Sequence, residues 1–267
     1  MRAEFLLMTK PELSPLLDGP SNVFLDPLVR LLHQSDISIV DRAWRFGPEV
    51  ASLLRLLYPR LSLVYKVGLI AASRKARAEA LAAAILEKAT IVSGSQFLRA
   101  NPSLTAKELQ VAGDLAGCRK FGSGTYGAAI SSGNERYMVL NPFFSEFAER
   151  FSQSARILFL RCETNCSWRT LRSEVVGDIH VDRAAEGSIR HWLWKAQSQL
   201  GLQNIDLARN GVHVSPGPVE AQWQIRAIFG HKRSVQSKIR QHNVLKALDF
   251  FEQNEDCDVS PDSQSIC

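Results

Sequence analysis

Strand-length apolar runs alternate with amphipathic stretches of helical length along this 267-residue sequence, and the alternation breaks off after Tyr58 and resumes at Pro142. The block between has helix caps and breakers of its own. These observations predict an α+β fold, a ferredoxin-like antiparallel sheet covered by helices, with an inserted, mostly helical segment. Hydrophobic residues make up 45% of the chain, enough to bury a core in one large or two small domains, which excludes a mainly disordered protein.

The first strand is predicted at Phe5–Met8, an apolar run that ends at Lys10-Pro11 because Pro11 has no N–H for a ladder. A lysine at a strand end is a place to look for a phosphate site. Asn22 is the expected cap of a helix over 23–33, where Phe24, Leu25, Leu28, Leu31 and Leu32 recur at helical spacing. Ile37–Val40 reads as the second strand. Pro48 suits a first helical turn, and Val50, Leu53, Leu54, Leu56 and Leu57 line one face of a helix ending near Tyr58-Pro59.

Within the insertion, Ser73–Lys88 is an alanine-rich helix whose Arg74, Lys75 and Arg77 read as a solvated helix end. Thr105 and Glu108 have the spacing of a capping box. Phe121–Gly127 satisfies G-x-G-x-x-G. A dinucleotide fingerprint needs a strand before it and a helix after it, and the flanks Cys118-Arg119-Lys120 and Ala128–Gly133 read as neither, so a hairpin or loop is expected.

Past Pro142 the pattern predicts a helix through Phe144, Phe147 and Phe151, a central strand at Ile157–Leu160, and a helix over 167–176. A short strand at Val212–Val214, a helix opened by Pro218 and a further helix across 233–252 follow. Gln253–Cys267 holds Glu255, Asp256, Asp258 and Asp262 with no Lys or Arg, an acidic disordered tail by composition. The expected domains are a core over 1–60 and 141–252, an insertion over 61–140 and the tail over 253–267.

The formal charge of +5 suits an anionic small ligand as readily as a nucleic acid. Arg226, His231, Lys232, Arg233, Lys238 and Arg240 fit a solvated helix face, with no aromatic-rich RNA-binding strand beside them, so nucleic acid is not the expected partner. Five cysteines without a CxxC pair, and no histidine cluster at zinc spacing, point away from a disulfide framework and a structural metal. No run approaches the ~18 apolar residues of a membrane span, the apolar start is too short for a signal peptide, and Gln264 rules out a prenylation box. A cytoplasmic protein that does not enter membranes is expected.

The densest group of chemically useful residues is Arg209-Asn210-Gly211-Val212-His213-Val214-Ser215, just before the helix that Pro218 opens. A histidine at a strand end beside a helix N-terminus sits where backbone N–H groups favour an anion, and its neutral ring can attack phosphorus. By itself such a histidine is more often a packed or surface residue.

Four segments in one order give it a context. Phe5–Glu12 resembles the first strand of the nucleoside diphosphate kinase family with its Lys-Pro-Asp ending, and Pro142-Phe143-Phe144 resembles its Arg-Pro-Phe-Phe segment. Gly177–Arg190 is similar to the family's Gly-x-Thr-Asn-Pro-x-x-Ala-x-x-Gly-Thr-Ile-Arg loop, and Asn210–Ser215 to its Asn-x-x-His-Gly-Ser strand. The resemblance covers residues 4–60 and 141–230.

It implies a phosphotransferase that moves the γ-phosphate of a nucleoside triphosphate through a phosphohistidine at His213 to a nucleoside diphosphate or related acceptor, with Mg2+ entering on the nucleotide. Lys10, Arg190 and Asn210 would contact phosphates and sugar, and Phe144 would stack on the base. Tyr58, or alternatively Tyr137, would stand near the histidine, with Ser215 and Glu220 in support. The family's orienting glutamate falls near Gln224, and Ser173 and Ile179 stand where the family has a phosphate-binding arginine and threonine. Arg172 and Arg183 are alternative cations. The other reading is a catalytically degenerate nucleotide-binding or interaction module. A homo-oligomer is compatible with either.

Overall fold

The computed structural model describes residues 2–19, 21–203, 205–206 and 209–230; the helix expected over 233–252, the basic residues from His231 on and the acidic tail lie outside them. The chain begins with β1 (Ala3–Thr9), a single turn α1 (Ser14–Leu17), α2 (Ser21–Gln34), β2 (Ile37–Arg45) and α3 (Gly47–Leu57). Next come α4 (Pro59–Val67), α5 (Arg74–Leu86), β3 (Thr90–Ser93), α6 (Gly94–Ala100), α7 (Ala106–Leu115), β4 (Arg119–Gly122), β5 (Thr125–Ser132), β6 (Glu135–Leu140) and α8 (Phe144–Gln153). The last stretch is β7 (Ile157–Thr164), α9 (Trp168–Thr170) running into a π-helix over Leu171–Val176, α10 (Ile189–Ala196), β8 (Val212–Val214) and α11 (Pro218–Phe229). Two compact units result: the described residues up to Val50 and from Phe151 onward form one, and Ala51–Arg150 the other.

The first unit is built on a four-stranded sheet in the order β2-β7-β1-β8, with every neighbouring pair antiparallel. Counted in chain order these strands stand 2-3-1-4, two interleaved strand–helix–strand units with their first strands at the centre, which is the ferredoxin-like arrangement. Alternation along β1 sends Phe5 and Leu7 into one core with Leu158, Leu160 and Cys162 of β7, where they meet Phe24, Leu28 and Leu32 of α2 and Ile189 and Leu193 of α10. Leu6, Met8, Ile157 and Phe159, on the opposite face, are fully buried too, so β1 and β7 read as continuous apolar runs.

β2 is an edge strand and continues five residues past its apolar stretch. Its polar half gains its bonds from β7, across a bulge between Ile39 and Asp41, and its exposed charges guard the edge. Arg45 pairs with Ile157, so the chain that leaves β2 at 46 returns beside its own exit at 156.

The second unit has its own mixed sheet, β3-β6-β5-β4, with β3 and β6 parallel. Successive β6 residues serve two cores. Met138 and Leu140 meet Val64 and the alanines of α5, while Val139 meets Phe97 and Leu109. The expected capping box is present, closed reciprocally by Thr105 and Glu108. Ser73, read in the sequence as the first residue of its helix, is instead the cap of α5, its Oγ accepting from Ala76 N–H at 3.3 Å. The glycine run is a hairpin: Ser123-Gly124 turns β4 into β5 with Gly124 at φ +58°, and a Cβ on Gly127 would meet the Phe121 ring at 2.4 Å. The sheet was not anticipated among these helices, because its strands are short and β3 finds its partner far along the chain.

Asn141 holds this unit's turns together. Its backbone is left-handed, φ +50°, its Oδ1 accepts from Tyr126 N–H at 2.8 Å, and its Nδ2 donates to Leu61 O and Gly124 O at 2.9 Å each. Asn141→Ala strands these backbone groups in a buried place and should lower stability by about 2–4 kcal/mol, read as a lower urea midpoint. Among the described residues no helix is long and apolar enough to cross a membrane.

Candidate active site

The site grows from the C-terminal end of β1. Lys10 N–H donates to Gly211 O at 2.7 Å, Gly211 N–H donates to Glu12 Oε1 at 2.8 Å, and Lys10 Nζ donates to Asn210 Oδ1 at 2.6 Å. These bonds clamp the turn that leads into β8, where His213 lies opposite Met8. Gly211 makes the turn possible: its φ is +78° and a Cβ would sit 2.2 Å from Leu193 Cδ1. Gly211→Ala combines backbone strain with overlap against the core and should cost about 2–4 kcal/mol, measured as a fall in the thermal midpoint together with weakened ligand binding.

Arg190 reaches the same strand from the first turn of α10, a helix capped by Ser188 and anchored by buried Ile189 and Leu193. Its Nη1 donates to Gly177 O at 2.7 Å and its Nη2 to Val212 O at 2.9 Å. A buried guanidinium therefore braces the loop 177–190 against the residue next to His213. Gly177, at φ +92°, allows the close approach, since a Cβ there would meet Ser188 Oγ at 2.4 Å.

A second set of bonds runs from the sheet to the imidazole. Ser215 N–H donates to Leu6 O at 3.0 Å and Leu6 N–H donates to Ser215 Oγ at 3.0 Å. The Ser215 hydroxyl donates to Gln224 Oε1 at 2.7 Å, and Gln224 Nε2 lies 3.2 Å from His213 Nε2. His213 is only 8% exposed and Gln224 is fully buried. Burial, then the charges of Lys10 and Arg190, push the His213 pKa down to about 3 against the opposing pull of Gln224. The ring is neutral at any physiological pH. A neutral imidazole in the field of two buried cations suits an anion that approaches to be bound or attacked.

No family model matches the chain, and no curated protein matches it by sequence. Solved structures similar to it include an enzyme from Encephalitozoon cuniculi, at 11% identity over 91% of this chain and 99% of the other, with a TM-score of 0.44. One from Pyrobaculum aerophilum shares 16% identity over 85% and 94% of the two chains, TM-score 0.41. One from Borrelia burgdorferi, a transition-state mimic with vanadate and ADP bound, shares 12% over 89% and 96%, TM-score 0.41. All three are nucleoside diphosphate kinases.

Of the residues singled out in the sequence, Lys10, Arg190, Asn210, His213, Ser215 and Glu220 belong to the first unit, where Glu220 is buried one turn before Gln224 on α11. Tyr58 and Phe144 belong to the second. There Tyr58 meets the Phe147 ring edge-on at 5.2 Å, and Phe144 is buried against Tyr65 and Phe147 at 5.1 and 6.2 Å. Tyr137 packs edge-on against Phe97 and hydrogen-bonds Glu135. Ser173 is exposed inside the π-helix, its hydroxyl donating to Arg169 O at 2.9 Å, and Arg172 and Arg183 are exposed as well.

Gln224, where the resemblance places the family's orienting glutamate, takes the place beside the imidazole. One contributor has no signal in the sequence. Glu12 anchors the Gly211 turn, which nothing in its local sequence announces.

Proposed function

We propose that this protein transfers the γ-phosphoryl group of a nucleoside triphosphate by way of a phosphohistidine at His213. The observation that carries the reading is the buried, neutral imidazole set on a strand end with Lys10 and Arg190 bearing on it. Nε2 is turned to Gln224, so Nδ1 is the nitrogen for the reaction. Its lone pair forms the P–N bond as the bond from the γ-phosphorus to the β–γ bridging oxygen breaks, and the nucleoside diphosphate leaves. A terminal oxygen of an acceptor diphosphate then takes the phosphoryl group and returns the imidazole. Positioning and charge neutralisation dominate such a transfer, and Lys10 and Arg190 supply the protein's share of both.

Among the described residues no three His, Cys, Asp or Glu side chains converge as a metal-ligand set. A magnesium ion fits this chemistry as cargo on the phosphate oxygens, where it would offset their charge. Lys10, Arg190 and Asn210 would then face the phosphates and sugar around it.

A module that binds nucleotide without transferring phosphate is favoured by one observation, the engagement of exposed Ser173 with Arg169 O at a position where the resemblance implies a phosphate contact. With Ile179 it removes two such contacts; at roughly 1.5–3 kcal/mol each, the transfer should run about two to four powers of ten below an intact site. Incubation with ATP labelled at the γ-phosphate separates the readings. Acid-labile, base-stable label on His213 is expected; nucleotide binding with no label on the protein would decide for the module.

A further inference from the structure

We infer that Gln224 is a positioning residue that holds His213 with its proton on Nδ1, and that the amide must turn over before the histidine can accept a phosphoryl group. The inference rests on the phosphohistidine reading above.

The chain of bonds takes its direction from the acceptor that the single Ser215 hydroxyl proton reaches. A backbone N–H can only donate, so Leu6 makes Ser215 Oγ an acceptor on that side. The hydroxyl has one proton, and it goes to Gln224 Oε1 at 2.7 Å. Its alternative, Leu6 O, is 3.4 Å away and already accepts from Ser215 N–H at 3.0 Å. With Oε1 committed to the serine, the NH2 end of the amide faces His213. Two nitrogens 3.2 Å apart make a hydrogen bond only when one of them offers a lone pair, and an amide nitrogen never does. His213 Nε2 must be unprotonated, and a neutral imidazole then carries its hydrogen on Nδ1.

In that tautomer the nitrogen implied in the reaction has no lone pair, and the ring is a hydrogen-bond donor toward an anion. Turning the amide reverses the order: NH2 donates to Ser215 Oγ, the hydroxyl swings to Leu6 O, Oε1 accepts from Nε2–H, and the lone pair moves to Nδ1. The bonds exchanged are a short one for a long one, so the reactive form is the minor one. A rate that depends on a minor form falls by its fraction, here on the order of tenfold or more. A carboxylate at the same place has no NH2 end and can only accept, which favours the proton on Nε2 outright.

Long-range proton–nitrogen NMR of the full chain carrying 15N-labelled histidine tests this directly. In the wild type, Nε2 of His213 should give an unprotonated and Nδ1 a protonated nitrogen signal; in Gln224→Glu the two should exchange, and γ-phosphate labelling should rise roughly tenfold or more. A merely structural role for Gln224 would change stability and leave the nitrogen signals in place. A wild-type spectrum with the proton on Nε2 overturns the inference and needs no variant to be read. Absence of label in wild type and Gln224→Glu alike, with the signals exchanged as expected, overturns the phosphotransfer reading instead.

Discussion

In His213→Ala, labelling from γ-phosphate-labelled ATP should fall to background. The P–N bond needs an imidazole lone pair, alanine offers none, and the neighbouring charges of Lys10 and Arg190 are hydrogen-bond donors with no lone pair to attack phosphorus. The effect on the fold should be much smaller. Alanine removes the ring that faces the Gln224 amide, and a buried amide that loses a partner costs about 1–3 kcal/mol, which leaves the sheet standing because the pairing of Val212 and Val214 with β1 is backbone. Circular dichroism and a urea titration check that half. Label that persists on His213→Ala would move the nucleophile elsewhere.

Acid should destabilise the protein through this same histidine. In the unfolded chain an imidazole titrates near the ordinary ~6.5, whereas in the fold burial and the two cations hold it down to about 3. Between those values the unfolded state binds the extra proton, so stability is fully present above pH ~6.5 and is lost as pH falls toward 3. Each pKa unit is worth ~1.4 kcal/mol, and from pH 7 to pH 4 the group contributes a loss of about 3 kcal/mol. Urea unfolding of wild type and His213→Ala at both pH values isolates it, because the alanine variant keeps the titrations of the other groups. Equal pH dependence in the two proteins would place His213 in contact with solvent.

Local chemistry made much of this molecule legible before any tertiary contact was known. The apolar run of Phe5–Met8 stopped by Pro11, the capping box of Thr105 and Glu108, and the continuous apolar stretch at Ile157–Leu160 each encode their element within a few residues. So does the Asn210–Ser215 segment with His213 in it, where a short apolar strand follows directly on a glycine. What pairing across the chain decides was not legible there. β2 runs on to Arg45 only because β7 lies beside it, and the sheet inside the second unit exists because β3 and β6 meet from distant places.

The site divides in the same way. Residue types near His213 point to an anion and a phosphoryl group, since charge and nucleophilicity belong to the side chains themselves. Which nitrogen of His213 holds the proton, why that ring stays neutral, and whether Gln224 or Glu220 faces it depend on burial and on the direction of bonds that begin at Leu6, more than two hundred residues away. Such quantities are properties of neighbours in space, and only folding brings those neighbours together.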